Sequence, residues 1–217
     1  MSASSGTDDT VVLASRNTVV LASRNEAKLR ELARILAQAS PRVRLAGLDA
    51  FPGAPEVAET GATFEENALL KARAIAAHTH LPAVADDSGL CVDALNGMPG
   101  VLSARWAGAH GDDQANLDLV LAQLGDVPEI RLGARFVCAA ALVVPTADGP
   151  ALEWVVTGQV DGRLTRTPRG TGGFGYDPIF VPDGFDLTTA EMTAEAKDAI
   201  SHRGRAFRAL TPFITGA

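Results

Sequence analysis

Two adjacent acidic residues, Asp86 and Asp87, follow the apolar run Leu81 to Ala85, which is typical of a buried strand. Carboxylates at the carboxyl end of such a strand lie where α/β sheets open a ligand crevice. Two like charges there are costly unless a metal ion or basic groups offset them, and hard oxygen ligands suit Mg²⁺. The segment Asp86-Asp87-Ser88-Gly89 therefore indicates a functional site, and an Asx turn leading into Gly89 is the simpler alternative.

A second polar segment, Ser23-Arg24-Asn25-Glu26-Ala27-Lys28, follows the apolar run Val19 to Ala22. A strand that turns directly into a helix presents free backbone N–H groups and the positive end of the helix dipole, where anions bind. Ser23 and Asn25 can hydrogen-bond an anion, and Lys28 adds a positive charge one turn into the helix. The simpler alternative is that Asn25 is an N-cap and Lys28 a solvated surface residue.

A third candidate segment, Glu59-Thr60-Gly61, precedes the capping box Thr63-Phe64-Glu65-Glu66. That capping box predicts a helix through about Ala77. Asn67 and Lys71 are four residues apart on this helix, so they share one of its faces. Glu65 is interpreted as a cap residue only.

Glycines dominate the run Gly170 to Pro178, in which Phe174 and Gly175 precede Tyr176 and Asp177. Glycines let a backbone approach a ligand closely, and an aromatic ring on such a loop is a natural platform for stacking a planar base. Asp177 can then accept hydrogen bonds from the base or the sugar. A tight turn with a core phenylalanine is the alternative.

Near the C-terminus, Lys197 is followed by the pair His202-Arg203. Such a pair is most often surface decoration, but as hydrogen-bond donors these side chains can read the keto oxygens of a base.

Strands and helices alternate along the chain, which predicts an α/β architecture with a mostly internal sheet. The first helix is predicted from the face formed by Leu29, Leu32, Ile35 and Leu36. The predicted strands are Val19–Ala22, Val43–Leu45, Leu81–Ala85, Ala134–Val144 (the longest) and Glu153–Thr157, which pairs with it. The later helices are predicted at Asn116–Leu124 and at Thr189–Leu210, with a break near Ser201 to Gly204.

The composition is that of an acidic globular protein: of 217 residues, 47% are hydrophobic and 21% charged, with a net charge of −7. Because duplex nucleic acid needs a basic face, this balance argues against nucleic acid as the main partner. No run approaches about 18 consecutive apolar residues, so no membrane span is expected. Cys91 and Cys138 are expected to be buried, reduced thiols, with a single disulfide between them as the alternative. The absence of a signal-like segment predicts a cytoplasmic protein.

The octamer at residues 10–17 is repeated without change at residues 18–25. Only the second copy continues into the helix that carries Lys28, so the first copy cannot do the same work. We therefore expect residues 1–17 to be a dispensable or disordered extension, and residues 18–217 to form a single domain. A functional extra strand is the alternative.

In this order, the segments resemble the inosine triphosphate pyrophosphatase family, over roughly residues 18–215. Each motif alone is weak, but six in register make a chance match improbable. One departure is Ser23-Arg24, which stands where many relatives show Thr-Gly. The matching pieces are Ala22-Ser23-Arg24-Asn25 with Lys28 and Glu31, Glu59-Thr60-Gly61 with Thr63-Phe64 and Glu66-Asn67, Ala85 to Leu90, Gly97 to Arg105, Gly170 to Pro178, and Ala199 to Gly204.

The resemblance implies an α/β fold in which helices flank an elongated, mixed central sheet, with the active-site cleft between two lobes. It also implies a Mg²⁺-dependent homodimer, with at least one Mg²⁺ per subunit. Such enzymes cleave non-standard purine nucleoside triphosphates (ITP, dITP and XTP) to the monophosphate and pyrophosphate, which cleans the nucleotide pool.

Site roles follow from the resemblance position by position. Residues 23–28 and Lys71 would hold phosphates, and Glu59 and Asp87 would hold the metal. Asp87 would also be the base for water, although the residues alone do not separate it from Asp86. Phe174 would stack on the purine, and the remaining contacts to base, sugar or phosphate would come from Ser88, Gly175, Tyr176, Asp177, Lys197, His202 and Arg203.

Three other functions compete with this one. A related group of pyrophosphatases acts on modified pyrimidine or methylated nucleotides, but would not share the glycine-rich run with Phe174 followed by the pair His202-Arg203. A nucleotide sensor without turnover has less need of the acids at positions 59, 86 and 87. A single-strand RNA binder is disfavoured by the negative charge and the few aromatic residues.

Overall fold

The computed structural model describes residues 18–39 and 43–216. The predicted extension, residues 1–17 with the first octamer copy, lies outside the described residues. The helices and strands are β1 (Thr18–Leu21), α1 (Glu26–Ala39), β2 (Arg44–Ala46), α2 (Phe64–Thr79), β3 (Ala83–Val92), α3 (Asp113–Gln123), β4 (Gly133–Val144), β5 (Leu152–Leu164), β6 (Phe180–Pro182), α4 (Ala194–Ile200) and α5 (His202–Gly216). Short 3₁₀ helices include Gly100–Arg105 and Asp177–Ile179.

The described strands form one mixed, six-stranded sheet in the order β2-β1-β3-β4-β5-β6. β1 runs parallel to both β2 and β3, whereas β3, β4, β5 and β6 are antiparallel neighbours. β3 and β4 pair over ten residues, from Ala83↔Val143 to Val92↔Ala134. With β5, these are the longest strands of the described sheet.

Helices cover both faces of the sheet and divide the core into three clusters. On one face, α2 packs through Ala68, Ala72 and Ile75. On the other face, α1 and α5 meet around Leu36 and Phe207. The third cluster lies where β3 and β5 end and β4 begins. There Leu117 and Val120 of α3 pack with Leu90, Val92, Phe136, Val160, Ile179 and Phe180. The mixed sheet flanked by helices agrees with the predicted fold.

The apolar strand predicted to end at Ala85 does not end there, and this prediction was wrong. β3 continues through Asp86 and Asp87 to Val92, because its ladder with β4 is unbroken across the acidic pair. The two carboxylates are tolerated because cations from other elements pair with them, which the local sequence does not show. The acidic pair therefore lies in the middle of a strand rather than in a turn.

Two further boundaries differ from the prediction. β5 extends to Leu164 and is one residue longer than β4, because Leu152 to Arg163 pair with the whole of β4 and Leu164 pairs with Phe180 of β6. The last helical region begins at Ala194 instead of Thr189, since Thr193 is the N-cap whose hydroxyl accepts a hydrogen bond from the Ala196 N–H at 3.2 Å. Its break falls at Ser201.

Two other local predictions, the capping box of α2 and the burial of the two cysteines, are confirmed. Thr63 caps α2 by accepting a hydrogen bond from the Glu66 N–H at 3.2 Å, and Glu66 reaches back to the Ala62 N–H at 2.7 Å. Cys91 and Cys138 are both buried and free. No helix in the described ranges is long and apolar enough to cross a membrane.

Candidate active site

A cavity of about 1020 Å³ opens beside β3, at the point where β1 ends. β1 pairs with β3 only as far as Leu21↔Val84, so the following residues of β3 line an open edge on that side of the described sheet. The cavity is large enough for a nucleotide-sized ligand. It is lined by most of the residues predicted from the sequence: Ser23, Arg24, Asn25, Lys28, Glu59, Lys71, Asp86, Asp87, Ser88, Phe174, Gly175, Tyr176, Asp177, Lys197, His202 and Arg203.

Glu26 and Ala27, which were also predicted to touch phosphate, do not line this cavity. Glu26 is exposed in the first turn of α1 and lies 3.9 Å from Arg30. Asn25 serves as a cap, because its Oδ1 accepts a hydrogen bond from the Lys28 N–H at 3.0 Å. The capping alternative thus holds for Asn25, but the surface alternative fails for Lys28, whose amine lies 3.2 Å from the Asp86 carboxylate.

Asp86 is almost fully buried and faces two cations. Its Oδ2 atom lies 3.2 Å from the Lys28 Nζ and 3.2 Å from the Arg203 Nε, and it accepts a hydrogen bond from the Ser88 hydroxyl at 3.0 Å. Burial raises the pKa of Asp86, but the charges of Lys28 and Arg203 outweigh burial and hold this pKa well below its ordinary value. Asp86 is therefore a permanent anion at neutral pH.

Asp87 has a different environment. Its Oδ2 accepts a hydrogen bond from the Asn67 amide at 3.0 Å, and its Oδ1 lies 3.3 Å from the Lys71 Nζ. Burial raises the pKa of Asp87 above its ordinary value; Lys71 lowers it in part, and the nearby Glu59 charge adds to the increase. A carboxylate with a raised pKa is the better of the two acids to accept a proton.

Glu59 and Asp87 share one lysine. The Lys71 Nζ lies 2.7 Å from the Glu59 Oε1, and Arg105 donates hydrogen bonds to both the carboxylate and the carbonyl oxygen of Glu59 at 3.2 Å. Burial raises the pKa of Glu59, but the charge and hydrogen bond of Lys71, together with Lys28 and Arg105, outweigh burial and lower this pKa. Burial alone would lower the pKa of Lys71, yet Asp87, Asp86 and Glu59 together raise it, so the amine stays charged.

The Mg²⁺ ion implied by the resemblance fits this donor set. Among the described residues, no group of three or more His, Cys, Asp and Glu side chains is arranged to hold a metal ion. Mg²⁺ is nevertheless commonly bound by one or two carboxylates together with substrate phosphates, and the oxygens of Glu59 and Asp87 converge on the single point that Lys71 contacts.

The other end of the cavity holds the aromatic platform. Phe174 is half-buried, and the Lys197 Nζ and the Arg203 Cζ each lie 5.2 Å from the centre of its ring. Asp177 is buried, accepts a hydrogen bond from the Phe174 N–H at 2.8 Å and pairs with the Lys197 Nζ at 2.6 Å. The carboxylate of Asp177 is thus occupied by the protein, while Lys197 keeps donors for a ligand.

His202 and Arg203 are buried, which excludes surface decoration for this pair. His202 stacks on Phe136 with ring centres 4.8 Å apart, and burial together with the charges of Arg203 and Lys197 holds its pKa well below the ordinary value, so the imidazole is neutral. Arg203 donates hydrogen bonds to Glu31 at 2.9 Å and to Ser88 at 2.7 Å. This network joins α1, β3 and α5 at the cavity wall.

Among the cavity residues that received no role from the sequence are Arg105, His110 and Asp113. The Arg24 guanidinium donates a hydrogen bond to the Ala54 carbonyl oxygen at 2.7 Å. Arg105 ends the segment Gly97 to Arg105, which belongs to the resemblance, so the sequence did contain a signal for this residue. Asn67 shares a helical face with Lys71, and that spacing correctly indicated that both reach one place. His110 and Asp113 left no such signal.

Comparison with known proteins shows similarity over nearly the whole chain. The sequence model of the Ham1 family matches residues 19–213. The dITP/XTP pyrophosphatase of Streptomyces coelicolor is 62% identical, over 94% of this chain and 96% of its own length. The dITP/XTP pyrophosphatase of Nocardia farcinica is 64% identical, over 94% of each chain.

Solved structures are similar as well. The crystal structure of a nucleoside-triphosphatase, or dITP/XTP pyrophosphatase, from Mycobacterium abscessus is 57% identical with a TM-score of 0.71, covering 90% of this chain and 99% of that one. A HAM1 protein from Coxiella burnetii is 41% identical with a TM-score of 0.80, covering 92% of this chain and 99% of that one.

Proposed function

Because the chain belongs to the Ham1 family, we propose that it hydrolyses non-standard purine nucleoside triphosphates, namely dITP, ITP and XTP, to the monophosphate and pyrophosphate. This agrees with the resemblance to the inosine triphosphate pyrophosphatases. It makes the protein a nucleoside-triphosphate pyrophosphatase that removes deaminated purines from the nucleotide pool. The observation that carries the proposal is a single cavity with cation-paired acids at one end and an aromatic ring among buried donors at the other.

The reaction is the attack of water on the α-phosphorus. In our proposal Asp87 accepts the proton of the attacking water, because burial raises the pKa of this carboxylate and Asn67 holds it in place. A bond forms between the water oxygen and the α-phosphorus, and the bond from that phosphorus to the bridging oxygen of the β-phosphate breaks. Pyrophosphate then leaves as one unit with the electron pair of the broken bond.

Phosphate binding is assigned to the turn between β1 and α1 and to two lysines. Ser23 and Lys28 lie at the N-terminus of α1, where backbone N–H groups and the helix dipole favour anions. Lys71 lies between Glu59 and Asp87 and has further N–H donors for a phosphate oxygen. Phosphoryl transfer depends mainly on such positioning and charge stabilisation.

Mg²⁺ dependence is also part of the proposal. Glu59 and Asp87 would hold the ion, which when bound would polarise the phosphoryl group and offset its charge. The same two carboxylates keep Lys71 charged, so the chain itself places a cation beside the phosphates.

Base selectivity is assigned to donors around the Phe174 ring. Lys197, His202 and Arg203 can donate to the O6 keto oxygen of hypoxanthine or xanthine. The amino group of adenine has no acceptor for these donors, so binding adenine would leave them unpaired, and discrimination of that kind can be large.

We propose in addition that the enzyme is a cytoplasmic homodimer, a proposal that rests on the resemblance alone. Light scattering coupled to size exclusion tests the dimer: a mass of about twice the chain's 22.5 kDa supports it, and the mass of one chain contradicts it.

The decisive experiment is to measure pyrophosphate release from ITP, XTP, dITP, ATP, GTP and the pyrimidine triphosphates, with Mg²⁺ and with chelator. Fast Mg²⁺-dependent release confined to ITP, XTP and dITP is the expected result. Release from the pyrimidine triphosphates in place of ITP, XTP and dITP would favour the related group of pyrophosphatases. Tight ITP binding with no turnover on any substrate would favour a sensor, and release of orthophosphate would contradict attack at the α-phosphorus.

A further inference from the structure

In the loop at residues 170–176, here called the Phe174 loop, the backbone around Phe174 is conformationally free because glycines flank it. Phe174 stands between Gly173 at φ +72° and Gly175 at φ +61°, which are left-handed conformations that glycine reaches without strain. Glycines also have the greatest conformational freedom to lose when a segment is ordered. The position of the Phe174 ring must therefore be fixed by contacts from outside these three residues.

Two carboxylates hold the two consecutive amides at this point. The Phe174 N–H donates to the Asp177 Oδ2 at 2.8 Å, and the Gly175 N–H donates to the Asp113 Oδ2 at 2.8 Å. Asp177 is three residues along the same chain segment and is itself held by Lys197 and Thr189. Asp113 instead comes from α3, 62 residues earlier, and so joins the loop to a second element that lines the cavity.

The start of α3 is itself well anchored. Asp112 caps the helix by accepting a hydrogen bond from the Ala115 N–H at 3.0 Å, and Asn116 accepts one from the Ala107 N–H at 2.7 Å. The Asp113 carboxylate therefore projects from a fixed support, whereas the amide that it holds belongs to a glycine-rich loop.

We propose that Asp113 is a positioning residue for the base-stacking ring. By holding the Gly175 amide, it fixes where Phe174 stands in the cavity, and so it controls affinity for the purine without touching the triphosphate. The inference rests on the proposed function, in which Phe174 stacks on the base. Nothing in the contacts of Asp113 reaches Glu59, Lys71 or Asp87, where the reaction is assigned.

A change at Asp113 should therefore appear in KM and in ligand affinity rather than in kcat, because stacking contributes equally to substrate and transition state. The Asp113–Gly175 bond is exposed to solvent, so its loss should cost little more than one ordinary hydrogen bond. We expect the Asp113→Ala variant to raise the KM for ITP by roughly 3- to 10-fold with kcat nearly unchanged.

Three single variants test the proposal. Asp113→Ala removes the acceptor, and Asp113→Asn keeps an oxygen that can accept from the Gly175 N–H, so the KM of the asparagine variant should return towards that of the unchanged enzyme. Asp118→Ala is the matched control, because Asp118 is an exposed acid on the same helix whose carboxylate accepts a hydrogen bond from Gln114. The Asp118→Ala variant should change neither the KM for ITP nor kcat.

The double variant Asp113→Ala/Phe174→Ala separates positioning from a general structural effect. If Asp113 acts through the ring, its loss should add nothing to the KM of Phe174→Ala. The inference would be overturned by additive increases in the KM of the double variant. It would also be overturned if Asp113→Ala left the KM unchanged, or if Asp113→Asn did not restore it.

ITP affinity measured by calorimetry with chelator present gives a readout that does not need turnover. If the unchanged enzyme binds ITP but releases no pyrophosphate, the proposed function fails, and the affinities of the same variants still decide the role of Asp113. If turnover is normal and Asp113→Ala behaves like Asp118→Ala in both assays, the inference about Asp113 fails alone.

Discussion

The carboxylates of Asp86 and Asp87 lie on opposite faces of β3, although the two residues are neighbours in the chain. Side chains alternate along a strand, so Asp86 faces Lys28 and Arg203 beside α1 and α5, while Asp87 faces Asn67 and Lys71 on α2. Two like charges are thus kept apart by the sheet, and each meets its own cations. This arrangement predicts different roles for the two acids.

Replacing Asp87 by Asn should abolish turnover without unfolding the protein. The variant loses the proposed base, a change that typically costs about 10²- to 10⁴-fold in rate, and it also loses one proposed metal ligand. Because the pKa of Asp87 is raised, its ionised form is disfavoured in the fold, so a neutral amide should not lower the free energy of unfolding. Pyrophosphate release and urea unfolding measure the two effects, and undiminished release would contradict the assignment.

Replacing Asp86 by Asn should instead cost stability. Asp86 is 3% exposed, and its loss leaves the buried Arg203 and the Lys28 amine without this partner. Removing one member of a buried ion pair costs about 3–5 kcal/mol. A lower urea midpoint for Asp86→Asn than for Asp87→Asn is the expected result, and equal midpoints would show that the two acids are equivalent.

The features that the sequence predicted well are local ones. The Thr63 capping box and the Asn25 cap depend on residues three positions apart, so their spacing in the chain is enough to identify them. The continuation of β3 through Asp86 could not be read in this way. It depends on Arg203, which lies 117 residues later, and on the ladder with β4.

The same limit applies to the site. Phe174 was singled out because an aromatic residue stands among glycines, whereas His202-Arg203 received a role only through the family resemblance. Asp113 is an ordinary first-turn acid of a helix, and its contact with Gly175 exists only in the folded chain. Most of the site residues predicted from the sequence line the cavity, but the sequence did not show which of them hold the others in place.

Phe174→Ala should raise the KM for ITP more than it lowers kcat, because stacking is binding shared by substrate and transition state. Base–aromatic stacking is worth about 1–3 kcal/mol, which corresponds to an increase of roughly 5- to 150-fold. Steady-state kinetics on ITP measures both constants, with Phe174→Tyr as the variant that keeps a ring. A larger loss in kcat would mean that the ring positions the triphosphate for attack.

Removing residues 1–17 should leave activity and stability unchanged. The family match begins at residue 19, and only the second octamer copy continues into the α1 helix with Lys28. The truncated and full-length proteins are compared by pyrophosphate release and thermal unfolding. A large loss in either would show that the first copy is needed after all.

His202 should make stability fall as the pH is lowered. Its pKa is held well below 6.5 in the fold, by burial and by Arg203 and Lys197, so below about pH 6.5 the unfolded chain binds a proton that the native state does not. Each pH unit below that value then lowers the free energy of unfolding by up to about 1.4 kcal/mol. Urea unfolding between pH 7 and 5 should therefore give a steeper pH dependence for the unchanged protein than for His202→Gln, with the exposed His78→Gln as control. Equal slopes for His202→Gln and the unchanged protein would show that this imidazole is protonated as readily in the native state.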